Sequence, residues 1–266
     1  MMGGRLVGHA PKGVLMPIRP GAEAWSVDGD DRIGVLLLHG FTGSPASMRP
    51  WGELLAQRSW TVRVPRLPGH GTRWQDMNIT RWQDWYSEAD RNLRELTSRC
   101  DQVFVAGLSM GGSLTLRLAQ EHQQAISGLI LVNAAVHTER LDRHLLPVVK
   151  HLVGSFPGIS NDIAKPGVDE ISYDRTPLKA AASMMEMWSE IKRDIASVHQ
   201  PLLLFRSAQD HVVEPSNAEW ILSHIHSSDV EEVVLDNSYH VATLDYDAQL
   251  IVDTSVAFIE RLSLTP

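Results

Sequence analysis

Three side chains far apart in this 266-residue chain have the types that nucleophilic catalysis needs: Ser109, Asp210 and His240. A serine hydroxyl is a weak nucleophile until a base takes its proton. A histidine base in turn needs a carboxylate to fix its tautomer and steady its cation. Ser109 lies in Gly107-Leu108-Ser109-Met110-Gly111, a G-x-S-x-G run directly after the apolar stretch Gln102–Ala106 and before a helical pattern starting near Met110. Glycines two before and two after the serine keep Cβ atoms out of a tight strand-to-helix turn, and Gly112 extends that permissive surface. Such a turn lifts the hydroxyl to a helix N-terminus, where developing negative charge is favoured. Asp210 follows the run Pro201–Phe205, and His240 follows Glu231–Leu235, so both fall in loops at strand ends. The chain order serine, acid, histidine is the one such a turn predicts.

Acyl transfer also needs donors for an oxyanion. The backbone N–H of Met110, just after the nucleophile, is one candidate. His39-Gly40-Phe41-Thr42-Gly43 supplies the second, because its glycines let the backbone turn back and aim the Phe41 N–H at the site. Each donor contributes about 3 kcal/mol in measured oxyanion holes.

The chain has 12 histidines, so the others need weighing. His211 adjoins Asp210 and points away if that carboxylate faces the site. His224 and His226 form H-x-H, but no cysteine or carboxylate spacing accompanies them, so no metal site is expected. His39 and His70 lie in glycine-flanked loops and suit backbone bracing. Asp236 and Asp245 sit too near His240 in sequence to orient it. Cys100 precedes a strand with no helix start behind it and reads as structural.

These residues require a scaffold, and the hydrophobic pattern supplies one. Ile33–Leu38, Thr61–Val64, Gln102–Ala106, Leu129–Val132, Pro201–Phe205 and Glu231–Leu235 read as strands, most of them continuously apolar and buried on both faces. Helical patterns lie between them: from Pro45 to Leu55, from Trp82 to Leu96 with Thr80 as N-cap, from Met110 to Gln120, and from Asp247 to Leu262. Alternation of this kind implies a mostly parallel sheet with helices on both faces, and ligands at the carboxyl ends of its strands. The rhythm fails from residue 137 to 187, where Pro147, Pro157, Pro166 and Pro177 break short helical pieces. That stretch is read as a cap insertion over the carboxyl edge, with residues 1–136 and 188–266 forming the core. Met184, Met185, Met187 and Trp188 could line an acyl tunnel there or belong to a helix core.

Composition narrows the function classes. Lys and Arg number 24 against 32 Asp and Glu, a net charge of −8, which opposes nucleic-acid binding. No apolar run approaches the length of a membrane span, and no basic amphipathic helix supports interfacial anchoring. Val14-Leu15-Met16 before Pro17 is too short for a signal-peptide core, and one cysteine cannot form an internal disulfide. A cytoplasmic protein is expected, with its oligomeric state left open.

Beyond these residues, the chain resembles the α/β-hydrolases, and among them the bacterial monoacylglycerol lipases and small thermostable carboxylesterases. The resemblance rests on LLLHGFTGSPASMRP (36–50), PRLPGHGT (65–72), GLSMGGSLTL (107–116), DHVV (210–213) and NSYHVATLDYD (237–247). It implies an α/β-hydrolase fold, a serine hydrolase of carboxylic esters, and Ser109, Asp210 and His240 as triad with Phe41 and Met110 as oxyanion donors. It also implies that Glu170, in GVDEISYDRTP (167–177), contacts the glycerol of a monoacylglycerol, and that Ile159 narrows the alcohol side. The expected partner is a small-molecule ester, most simply a monoacylglycerol, and no cofactor is called for. The alternative is a broad carboxylesterase or thioesterase for short to medium acyl chains. An aminopeptidase would need acidic groups to hold a substrate ammonium, for which Glu170 is the one evident cap candidate.

Overall fold

The computed structural model describes residues 17–139 and 145–263; the Val14-Leu15-Met16 run lies outside them. The strands are β1 (Trp25–Val27), β2 (Ile33–Leu38), β3 (Thr61–Val64), β4 (Gln102–Leu108), β5 (Gly128–Val132), β6 (Ser155–Pro157), β7 (Arg175–Pro177), β8 (Leu202–Ser207) and β9 (Val230–Leu235). The helices are α1 (Arg49–Ala56), α2 (Trp74–Met77), α3 (Trp82–Thr97), α4 (Met110–Glu121), α5 (Leu146–Val149), α6 (Leu178–Asp194), α7 (Ser216–His224) and α8 (Ala248–Ser263). A seven-stranded sheet runs in the order β1-β3-β2-β4-β5-β8-β9. All its pairings are parallel except the one between β1 and β3.

The continuous apolar strands divide their side chains between two layers, as the two-residue period of a strand requires. Leu36, Leu38, Val103, Val105, Leu129, Leu131, Leu202 and Leu204 pack under α3, α4, α6 and α7. Their neighbours in sequence, Val35, Leu37, Phe104, Ile130, Leu203 and Phe205, face α1 and α8 on the other side. The helical spacing of Trp85, Ala89, Leu93 and Leu96 puts all four on the buried face of α3. Among the described residues no helix is long and apolar enough to cross a membrane.

Three local expectations change. Helix α3 is capped at Arg81, whose N–H donates to Asp84 Oδ2 at 2.8 Å. Thr80 instead accepts from the Trp85 indole at 3.0 Å and donates to the Met77 carbonyl. Pro157 and Pro177 are not simple breaks: they belong to β6 and β7, an antiparallel pair outside the main sheet. A two-stranded ribbon tolerates proline because half of each strand's groups face no partner. Helix α6 runs 17 residues without interruption at residue 187. Met187, Trp188 and Ile191 are buried with α3 and α4, which holds the helix through that position.

Candidate active site

The turn between β4 and α4 is tightly specified. Ser109 stands at φ 55° and ψ −117°, a backbone conformation that costs a non-glycine residue about 1–3 kcal/mol. Its N–H donates to the Val132 carbonyl, and its carbonyl accepts from Gly112, Ser113 and Ala135, so the surroundings over-determine the strained residue. A Cβ on Gly107 would lie 2.2 Å from the Gly111 backbone, and one on Gly111 would lie 2.0 Å from the Leu38 carbonyl oxygen. Glycine is therefore required at both places by close approach.

The loop after β2 lies alongside. A Cβ on Gly40 would sit 3.4 Å from the Ser109 Cβ, so this loop and Ser109 are neighbours. His39 braces it: its Nδ1–H donates to the Gly40 carbonyl at 3.0 Å and its Nε2 accepts from the Leu67 N–H at 3.2 Å. Those partners fix a neutral ring, and burial pushes its pKa down to about 4. His70 is likewise buried and held well below the ordinary histidine range by desolvation, with its Nδ1–H donating to Pro68. Among the described residues the backbone N–H groups of Phe41 and Met110 donate to no protein acceptor.

Asp210 and His240 meet. The His240 Nδ1–H donates to Asp210 Oδ2 at 2.8 Å, and the other Asp210 oxygen accepts the N–H groups of Val212 and Val213, each at 2.8 Å. With Nδ1 donating, Nε2 carries the free lone pair. Burial works against the imidazolium, but Asp210, Glu170 and Asp162 outweigh it and hold the His240 pKa above its ordinary value. Burial would raise Asp210 too, yet the imidazole and the two backbone donors keep it below the usual carboxylate range. The His240 ring bonds Asp210 through Nδ1, and no hydrogen bond joins the ring to Ser109 Oγ.

Buried polar side chains tie the loops of Asp210 and His240 to the segments behind them. Asn133, at the end of β5 with φ 46°, donates to the His240 carbonyl at 2.8 Å and to Ser207 Oγ at 2.9 Å, and accepts from the Ser207 N–H at 2.7 Å. Asp247 accepts from Asn237 and Ser238 in the histidine loop. Asp245 binds the N–H groups of Ala164, Lys165 and Tyr239, joining that loop to the segment between β5 and β8. Asp236 is exposed, as are His224 and His226.

Glu170 is half-buried and its Oε1 would lie 2.6 Å from a Cβ on Gly43, which puts the carboxyl over the loop carrying Phe41. Burial raises its pKa against the pull of His240 and Ser172. Ile159 is 52% exposed. Met187 and Trp188 belong to the core, the Trp188 indole donating to Ser113 Oγ at 3.1 Å, whereas Met184 and Met185 are only partly buried. Cys100 is buried and free, and burial raises its thiol pKa. Sequence reasoning missed Asp162 and Asn133, which carry no motif; each acts on His240 from 78 and 107 residues away. Among the described residues no group of three or more His, Cys, Asp or Glu side chains could hold a metal ion.

Comparison with known proteins places this geometry in context. Residues 29–247 match the family described as serine aminopeptidase, S33. The thermostable monoacylglycerol lipase of Bacillus sp. strain H-257 is 40% identical over 250 residues, covering 92% of this chain and 97% of the relative. A carboxylesterase of Bacillus subtilis strain 168 is 25% identical, covering 90% and 97%. A solved structure of a metagenome-derived lipolytic enzyme superposes with a TM-score of 0.89 at 41% identity, covering 92% of this chain and 100% of that one.

Proposed function

Since the chain belongs to the serine aminopeptidase S33 family of α/β-hydrolases and is a serine ester hydrolase, we propose that Ser109, His240 and Asp210 are its triad and monoacylglycerols its substrates. The observation that carries the triad is the 2.8 Å bond from His240 Nδ1 to a buried Asp210, with Asn133, next to the Val132 that accepts the Ser109 N–H, bonded to the His240 carbonyl. His240 Nε2 takes the Ser109 proton as the hydroxyl attacks the ester carbonyl. Asp210 holds the tautomer and steadies the imidazolium. The Phe41 and Met110 N–H groups receive the oxyanion. The imidazolium protonates the departing alcohol, and water then repeats the sequence on the acyl-enzyme.

The substrate class rests on the 40% identical relative named a monoacylglycerol lipase and on the position of Glu170. A carboxyl beside the oxyanion loop suits two adjacent hydroxyls on the leaving alcohol, with Ile159 bounding that side. In this reading the described residues between β5 and α6 form a cap, α6 belongs to the core, and the cap carboxylates Asp162 and Glu170 reach the loops of His240 and Phe41. A buried, free Cys100 suits the reducing cytoplasm. The 25% identical carboxylesterase favours a second reading, a broad esterase indifferent to the alcohol.

One rate series separates them. Monoacylglycerols, methyl esters, thioesters and aminoacyl amides of matched acyl length are compared on the wild type, Ser109→Ala and Glu170→Ala. The reading expects Ser109→Ala to lose about 10⁴- to 10⁶-fold. It also expects a preference for glycerol esters that disappears in Glu170→Ala. Equal rates on glyceryl and methyl esters point to the broad esterase, and an active Ser109→Ala overturns the triad.

A further inference from the structure

The loops after β8 and β9, which bring the acid and the base, converge on one carboxylate from a third segment. Asp162 lies between β6 and β7, and its side chain is only 11% exposed. Its Oδ2 accepts the backbone N–H of His240 at 3.1 Å and that of His211 at 3.2 Å. Its Oδ1 accepts from the His211 ring at 2.8 Å, and its own carbonyl accepts the Val241 N–H at 3.0 Å. The His211 ring packs edge-on against Tyr239, 4.6 Å between centroids, so the two loops also touch beside the carboxylate.

We propose that Asp162 is a positioning residue for the hydrolytic reaction: it clamps the His240 backbone to the Asp210–His211 loop so that acid and base keep their register. The inference rests on the triad reading above. Among the described residues no other group accepts from both the His240 and the His211 backbone N–H. Asn133 and Ser207 fix the far side of the histidine loop through the carbonyls of His240 and Tyr239, leaving the His240 N–H to Asp162 alone. A carboxylate is suited to this place because it accepts in several directions while offering no proton. Displacing a base by about 1 Å can cost on the order of 100-fold in rate, so a clamp of this kind is worth having.

Two substitutions separate placement from charge. Asp162→Ala removes every side-chain anchor. Asp162→Asn can keep its carbonyl oxygen on the two backbone N–H groups and turn its amide toward the His211 ring, which accepts in its other tautomer; geometry survives and charge is lost. The groups facing His240 are Asp210, Glu170 and Asp162, with the His211 imidazole sharing the last of these. Removing a negative charge from that set lowers the basicity of His240.

The experiment measures kcat and KM on a soluble short-chain ester from pH 5 to 9 for the wild type and both variants, with Ser109→Ala and His240→Ala alongside. Asp162→Ala is expected to lose about 10- to 100-fold in kcat with KM within twofold. Asp162→Asn is expected to keep its plateau rate within a few fold while the acid limb of kcat/KM moves to lower pH. The same shift must persist in a His211→Asn background. A wild-type kcat in Asp162→Ala, an effect confined to KM, or a shift that vanishes with His211 overturns the proposal. If Asp162→Ala does not fold, the Asp162→Asn acid limb decides alone. Activity retained in Ser109→Ala or His240→Ala refutes the triad itself, an outcome distinct from a silent Asp162.

Discussion

Replacing Asp210 by asparagine changes one atom, and the surrounding hydrogen bonds dictate how the site responds. The carboxylate accepts three donors: two backbone N–H groups on Oδ1 and the His240 ring on Oδ2. An amide has one acceptor and one donor end. With its oxygen toward Val212 and Val213 it keeps two bonds, and its NH2 faces Nδ1 of the histidine. With the amide reversed, NH2 confronts two N–H donors and both bonds are lost. An unmatched buried donor costs about 1–3 kcal/mol, so the first orientation wins by roughly that margin, a population ratio of about 5- to 150-fold. The ring must then accept at Nδ1 and carry its proton on Nε2, where it cannot take the Ser109 proton. The wrong tautomer has cost about 10⁴-fold in kcat in a serine protease, equivalent to some 5.5 kcal/mol of barrier. The assay is kcat on a chromogenic short-chain ester at pH 8, with near-ultraviolet circular dichroism to verify the fold. A folded Asp210→Asn enzyme within tenfold of wild type would show that Asp210 does not set the tautomer.

The same geometry has other measurable consequences. In the proposed mechanism neutral His240 is the base, and its pKa is held above the ordinary value of 6.5, so the acid limb of kcat/KM should have its midpoint above pH 6.5; a midpoint at or below 6.5 contradicts the electrostatic picture. Asp210 and Asp247 are held below 3.8 in the folded chain. Each therefore stabilises the fold fully above the unfolded value, and that contribution is lost as pH falls through the lower folded one, so urea midpoints should drop below about pH 4. Gly111→Ala drives a Cβ to 2.0 Å from the Leu38 carbonyl. It should cost about 3 kcal/mol, lowering Tm by roughly 6–12 °C. Asn133→Ala strands the Ser207 N–H and the His240 carbonyl in a 4% exposed position. Urea unfolding should give about 3–5 kcal/mol of destabilisation, part of it from alanine at positive φ.

What could be read from the chain without coordinates was what is encoded locally. Strand β2 shows itself because its six residues are all buried and apolar, and α3 because its tryptophans and leucines recur at helical spacing. The turn at Ser109 is legible because its glycines are a direct consequence of backbone crowding within five residues. Strand β1 went unnoticed: it is three residues long and partly exposed, and its antiparallel pairing with β3 is decided by tertiary contact. The β6 and β7 ribbon was hidden by its prolines. The division at residue 187 rests on the lapse in strand–helix rhythm after residue 137, but the buried face of α6 passes through it unbroken. Asp162 and Asn133 were invisible for a different reason. Each is a single polar residue whose partner is a backbone atom on a distant loop, and such partners leave no trace in side-chain type.

The electrostatics of His240 illustrate why the site needs several segments to assemble. A buried imidazole left alone would titrate low, as His39 and His70 do, and would be a poor base. One carboxylate in contact reverses that, but its effect depends on direct hydrogen bonding, which fixes the tautomer as well as the charge. The further negative groups, Glu170 and Asp162, raise basicity without competing for Nδ1, because they approach from the segment between β5 and β8. Too much negative charge would keep the ring protonated at neutral pH and block the first proton transfer, and burial sets the opposing limit. His240 is thus tuned by burial that desolvates it and by carboxylates, two of them from the segment between β5 and β8, that recharge it. Substitutions in that segment should accordingly move the pH dependence of hydrolysis even where they leave Ser109, Asp210 and His240 untouched.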